Sequence, residues 1–424
     1  MRPLLVWISL AYLILLFIRP QEYVPSLSGW SLQQFTLLGA TGLFFLQPAG
    51  VLAAPQIRLL APLLFIAMLS VGVAGWWGGT IVTANDLLPS FLVAVVLAAV
   101  ATRERDLRKV LATIVLCACV LVLHGHLQMR DGIGWSGAIP LEGRIYYVGI
   151  LSDPNDLALL FVVALAFTLG FSWGGVGIVT RLLSLAVAAW LAYGIYLSQS
   201  RGGMLAGIGV LSYYLWKKYG KTALITAAAV GLPTLFAATR LAQLDAGEES
   251  AAGRVDAWYE GIQEFIANPV FGVGYGNYAE VSGSGLTAHN SLVLVLTELG
   301  FPGYVVWMCI LYCTWLMLRE LLARGRRAPE GGVSERAPVT VVTGTDHALA
   351  AGCIGFSIAA FFLSQSYKAV LFILVGLTVG RYLSVQAETG GALPRITVSG
   401  TMFRATVVSI LSIIGLWVLV KVLL

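Results

Sequence analysis

Apolar stretches of about membrane-spanning length recur along almost the whole chain, separated by short polar turns. A helix needs about 20 mostly apolar residues to cross a bilayer. Stretches centred on 4-18, 34-53, 59-78, 85-101, 109-127, 156-173, 180-197, 203-216 and 222-239 reach or approach that length. Further ones follow at 302-320, 347-363, 367-383 and 404-423. The pattern predicts an all-α fold: a polytopic transmembrane helix bundle of about 12–13 spans, forming a single membrane domain over 1-424. The last span is the one most easily placed outside the functional bundle. Arg19-Pro20-Gln21-Glu22 follows the first stretch where a small-residue cleavage site would otherwise stand, so that stretch reads as a retained span.

Composition excludes a water-soluble domain. Hydrophobic residues make up 58% and charged residues 11% of the chain, and the mean hydropathy is +0.86. Soluble domains are about a quarter charged. Too few charges are present to cover a surface, so lipid must cover much of it. Most of the 26 Lys and Arg, including Arg103, Arg105, Arg108, Lys109, Lys217, Lys218, Lys221, Arg319, Arg324, Arg326, Arg327 and Arg336, fall on one side when the N-terminus is placed in the cytoplasm. That bias predicts a multi-pass inner-membrane protein with a cytoplasmic N-terminus. Arg19, Arg130, Arg144, Arg201, Arg240, Arg254, Lys368 and Lys421 fall on the outer side. The net charge of +5 then reflects topology and gives no reason to expect nucleic acid. The five cysteines all lie within predicted spans, so no structural disulfide is expected, and four scattered histidines suggest no metal cage.

Two outer segments are long, 128-154 and 240-288, and one inner segment, 321-345, reads as a cytoplasmic linker. Within 240-288, Val255, Trp258, Tyr259, Ile262, Phe265 and Ile266 recur at helical spacing opposite Asp256, Glu260 and Glu264. This predicts an amphipathic helix over 255-266 lying at the outer interface. Asn268-Pro269 stops it, and Gly272-Val-Gly-Tyr-Gly-Asn277 reads as a flexible turn. Ala288-His289-Asn290-Ser291 then opens an apolar run to Leu299, too short to span alone. It is either a half-helix dipping in from outside or the start of a long helix kinked at Gly300 and Pro302.

Candidate chemistry gathers at the outer helix ends, while the predicted span interiors are nearly free of charge; that distribution favours a site at the outer interface over a conduction path. Arg201 sits in Leu197-Ser-Gln-Ser-Arg-Gly-Gly203, where a permanently charged guanidinium can bind phosphate oxygens in pairs and the glycines admit a ligand; alternatively it is a snorkelling helix-end arginine. Arg254 opens the amphipathic helix, whose N-terminus already favours anions; alternatively it is an exposed loop arginine. His289 can accept a proton from a hydroxyl near neutral pH, or simply cap or line an interface, and Asn290 and Ser291 can cap the helix that follows. Asp153-Pro-Asn155-Asp156 reads first as a turn and N-cap, and secondly as an acidic group orienting an arginine or a sugar hydroxyl. No Gly-x-x-x-x-Gly-Lys-Ser/Thr loop or Rossmann spacing is present, so no nucleotide partner is expected.

The order of these pieces resembles one family. Ser198-Gln-Ser-Arg201-Gly-Gly, Gly253-Arg254 with Trp258, Asn268-Pro269 with Gly272-Val-Gly274, Ala288-His289-Asn290-Ser291 and Glu298-Leu-Gly300 together resemble the O-antigen ligase and polymerase superfamily over roughly 145-320, with weaker similarity to 383. The Asp153-Pro-Asn155-Asp156 element also looks like a family feature. The resemblance implies a GT-C-type membrane glycosyltransferase, without metal or other cofactor. It would take a glycan from undecaprenyl diphosphate and pass it, with inversion, to a hydroxyl of lipid A-core or of another glycan at the periplasmic face. It implies His289, Arg201 and Arg254 as catalytic residues. Arg201, Arg254, Asn290, Asp153, Asn155 and Arg144 are the residues expected to bind substrate. An O-antigen ligase is the first reading and an O-antigen or exopolysaccharide polymerase the second. Arg19-Pro-Gln-Glu-Tyr-Val-Pro25 resembles members found near exopolysaccharide clusters, which favours the second. A polysaccharide or lipid transporter would instead predict buried ionisable residues or repeat symmetry. If the first reading holds, Arg201, Arg254 and His289 should face one outward-opening cavity.

Overall fold

The computed structural model describes residues 1–46, 50–238, 245–283, 285–324 and 341–424, without the side chains of 224, 226–228, 230–238 and 245–252. The predicted Arg240, Arg326, Arg327 and Arg336 and most of the 321-345 linker lie outside the described residues. The chain is an all-helical polytopic bundle. Its helices are α1 Arg2–Phe17, α2 Leu32–Leu46, α3 Pro55–Val73, α4 Gly79–Val100, α5 Glu104–Asp131, α6 Pro154–Phe171 and α7 Ile178–Ser198. Then follow α8 Arg201–Ala238, α9 Asp245–Ala267, α10 Tyr278–Val281, α11 Ser291–Ala323, α12 Gly344–Phe362, α13 Ala369–Glu388 and α14 Val398–Leu423. Among the described residues nine of these are long and apolar enough to cross a membrane, and α1 and α2 are shorter apolar helices. Each predicted span overlaps one of these helices, 34-53 and 59-78 running past the ends of α2 and α3; 203-216 and 222-239 both overlap α8, which is interrupted at Gly220 (φ 82°).

Large apolar side chains such as Trp7, Phe35, Phe65, Leu182 and Phe403 are exposed, as expected of a lipid-facing surface. Between helices, small residues permit contact that larger ones would block. A Cβ on Gly376 or Gly380 of α13 would come within 2.3 or 2.2 Å of the Ala94 or Ala98 carbonyl oxygen of α4. Buried polar contacts mark the two ends of the bundle. At the far end, Asp346 pairs with Arg324 and Arg381, and Arg381 also reaches Glu104 at 3.2 Å, tying α5, α11, α12 and α13 together. The other end carries the N-termini of α6, α8, α11 and α13 and holds the candidate site.

Two expectations need correction here. The amphipathic helix is longer than 255-266 and does not present its apolar face to lipid alone. Trp258 and Ile262 are buried with Tyr278, Val293 and Leu294, and with Leu416 and Val420 of α14. The apolar stripe therefore docks on α11 and α14, which also brings the last span into contact with the site end. The glycine turn at 272–276 is pinned rather than flexible. Gly300 is non-helical (φ 63°) and Pro302 has no N–H, so α11 breaks and frees the carbonyls of Thr297 and Glu298. Val273 N and Gly274 N donate to those two carbonyls at 2.9 and 3.1 Å. The run from His289 is thus the start of a long broken helix, the second of the two alternatives.

Candidate functional site

Three loops and three helix starts build the site. Asp153 is the N-cap of α6, its Oδ1 accepting from Asn155 N at 2.6 Å. Asn155 Oδ1 then accepts from Arg144 Nη2 at 3.1 Å and from Ser200 Oγ at 2.7 Å. Arg144 Nε also donates to the Ser198 carbonyl at 3.0 Å, so one arginine ties the 132–153 segment to the turn between α7 and α8. Ser200 Oγ accepts from Gly203 N at 3.1 Å, and Arg201 becomes the first residue of α8.

The helix-terminus argument made for Arg254 therefore applies to Arg201 instead. Arg254 lies inside α9, well past its start at Asp245, while Arg201 sits where the α8 backbone amides favour an anion. The glycines after Arg201 also serve another purpose than ligand access. A Cβ on Gly203 would come within 2.7 Å of the Ala158 Cβ, so they let α8 pack on α6.

Arg254 is brought to the other two guanidiniums. Burial, then Arg201, then Arg144 hold its pKa below the ordinary arginine value. Among the described residues no carboxylate lies within ion-pairing distance of Arg201 or Arg254. Like charges gathered in a half-buried place favour an anionic ligand. His289 stands beside this cluster in the left-handed region (φ 48°). Burial, then the Arg254 charge, lower its pKa against the opposing pull of Asp153, so its ring is neutral at pH 7. Asn290 is buried and caps α11, its Oδ1 accepting from Leu292 N at 2.8 Å and Val293 N at 3.2 Å. Ser291 Oγ donates to the Leu363 carbonyl at 2.7 Å and accepts from Gln365 N at 2.8 Å, fixing the α12–α13 loop against the histidine.

Sequence resemblance agrees with this geometry. Residues 186–308 match the family model described as O-antigen ligase. That segment is similar to the O-antigen ligase and polymerase superfamily, in agreement with the motifs read from the sequence. The matched segment holds Arg201, Arg254 and His289, with Asp153, Asn155 and Arg144 lying before it. The match supports a membrane enzyme of the ligase or polymerase type. No curated protein matches the chain.

A cavity of about 650 Å³ opens beside His289. His289, Asp153 and Asn155 line it, and Arg201 and Arg254 do not. Of the three groups expected in one cavity, His289 is the one that lines this one. Sequence reasoning gave no site role to Asp86, Glu298, Tyr275, Tyr367 and Lys368, which also line it. Asp156 accepts from Gln365 Nε2 and lies 3.4 Å from Lys368 Nζ. A carboxyl inside the apolar run Ser291–Leu299 was the signal available for Glu298.

Proposed function

We propose that this protein transfers a glycan from undecaprenyl diphosphate to an acceptor hydroxyl at the periplasmic face, as an O-antigen ligase of GT-C type. The observation that carries the reading is that Arg201 and Arg144 lie near enough to Arg254, and Arg254 to His289, for their charges to act on one another, with Arg201, Arg254 and His289 inside the family-matched segment. The guanidiniums bind the diphosphate and stabilise the charge that builds on it as the anomeric carbon–oxygen bond breaks. His289 accepts the proton of the acceptor hydroxyl as its oxygen bonds to that carbon. The diphosphate leaves as an anion already compensated by arginine, so the reaction runs without metal. Asn155 and Asp153 act through position: Asn155 holds Arg144 and Ser200, and Asp153 caps α6. Asn290 keeps His289 in register by capping α11.

A single displacement inverts the anomeric centre. The test is transfer by the purified protein from a lipid-linked glycan of known anomeric configuration to lipid A-core, with the new linkage assigned by NMR. Inversion on lipid A-core supports the ligase. Retention refutes the displacement, and chain growth on undecaprenyl diphosphate alone makes the protein a polymerase.

A further inference from the structure

Glu298 takes no part in the reaction above, yet it lies in the wall of the cavity that His289 also lines. It is 3% exposed, and its Oε2 makes no well-formed hydrogen bond among the described residues, although the Tyr367 hydroxyl and the amides of Gly276 and Tyr278 face the carboxyl. Burying a carboxyl without full partners is costly, and such a group facing a cavity within a membrane bundle marks a ligand. The Tyr275 and Tyr367 rings meet edge to face beside it, with centroids 4.9 Å apart. Tyr275 lies in the field of both Glu298 and Asp86, so the two acids share one wall.

The shape of this region argues for a sugar. The carboxyls are spread around the cavity: among the described residues no three of His, Cys, Asp and Glu are grouped so as to hold a metal ion. A volume of about 650 Å³ suits a small organic ligand. Carboxylates accept hydrogen bonds from hydroxyls, and tyrosine rings offer apolar faces beside a polar tip. Asp86 and Asp153 share the wall with the Lys368–Asp156 pair, so the wall repels anions. In a single displacement the attacking hydroxyl approaches opposite the leaving group. His289, which takes the acceptor's proton in the transfer reading, lines this cavity, and Arg201 and Arg254 do not, so the cavity suits the acceptor.

We propose that this cavity is the subsite for the terminal sugar of the acceptor, with Glu298 and Asp86 accepting from its hydroxyls and Tyr275 and Tyr367 packing against its ring, and that it selects neutral or cationic sugars over uronic acids. The proposal rests on the transfer reading for the roles of donor and acceptor sides.

Binding can be measured without any donor, so its outcome is independent of whether the arginines hold a diphosphate. Saturation-transfer NMR on the purified full chain would use a panel of neutral and amino-sugar oligosaccharides and a matching uronate-terminated set. The wild type and Arg201→Ala should bind at least one neutral or amino-sugar glycan with similar affinity. Glu298→Gln and Asp86→Asn should each weaken that binding about tenfold or more, as for a site built around substrate hydroxyls. The uronate set should bind at least about tenfold more weakly, and Asp86→Asn should narrow that gap. Asp86 is exposed, so Asp86→Asn carries the test if Glu298→Gln does not fold. Failure of the wild type to bind any glycan, or weakening by Arg201→Ala with none by Glu298→Gln or Asp86→Asn, would overturn the subsite.

Discussion

Val273 N donates to the Thr297 carbonyl at 2.9 Å, replacing the bond that an unbroken α11 would draw from residue 301. Phe301 N turns instead to the Pro269 carbonyl at 2.8 Å. The loop after α9 and the break in α11 are thus one unit, and it sets the positions of Glu298 and Tyr275. Its closest approaches are at Gly272 (φ 66°), where a Cβ would come within 2.3 Å of the Thr297 carbonyl oxygen, and at Gly300 (φ 63°), where one would come within 2.5 Å of the Val270 oxygen. Gly272→Ala and Gly300→Ala should each destabilise the protein by about 1–3 kcal/mol or more. Gly276→Ala shares the positive φ but meets nothing within 4 Å, so it should cost about 1 kcal/mol. Thermal melting in detergent measures the order; equal losses at all three positions would contradict it.

His289 should limit activity on the acid side. Its pKa is lowered, so the ring stays neutral through pH 7 and becomes protonated only as pH falls below the ordinary histidine value of about 6.5. Transfer should therefore persist at pH 6.5 and fall at lower pH. Arg254→Gln removes a charge that lowers the pKa, so the His289 ring resonances should titrate at higher pH in that variant. Pyrophosphate, by compensating Arg254, should move the wild-type titration the same way. A titration unmoved in both cases would separate His289 from the arginine.

Arg254 is held against burial and like charge. Arg254→Gln should leave the melting temperature unchanged or raised, while transfer falls about 10²-fold or more, as for loss of a donor to developing charge. Pyrophosphate should stabilise the wild type by mass action and the variant much less. Equal stabilisation of both would show that Arg254 does not face the anion.

At the opposite end, Asp346 is fully buried, accepting from Arg381 Nε and Thr343 N at 2.8 and 2.7 Å and pairing with Arg324. Asp346→Asn leaves two buried guanidiniums short of a charge and should cost about 3–5 kcal/mol. Denaturant or thermal unfolding should show that loss, while the acceptor preference of the surviving folded protein stays unchanged.

The spans were legible because each needs only a run of apolar residues, and that run is local. Arg201, Arg254 and His289 were legible as charged or titratable groups in motifs at the outer helix ends. What sequence periodicity left open was set by distant contacts. The 255-266 stripe reads the same whether it meets lipid or, as Trp258 and Ile262 do, meets α11 and α14. The start of α9 at Asp245 moved Arg254 away from a helix terminus, and the role of Gly203 depends on Ala158. The cavity wall draws Asp86 from α4 and Lys368 from the α12–α13 loop, positions far apart in the chain that only packing brings together.

The central claim is that the arginines and His289 act as one transfer site. Its most direct test is the rate of transfer from lipid-linked glycan by purified wild type and by the single variants His289→Ala, Arg201→Ala and Arg254→Ala, each with EDTA present and its melting temperature recorded. The account predicts that the wild type remains active in EDTA and that each folded variant loses about 10²-fold or more. Near-wild-type transfer by His289→Ala together with either arginine variant would contradict it.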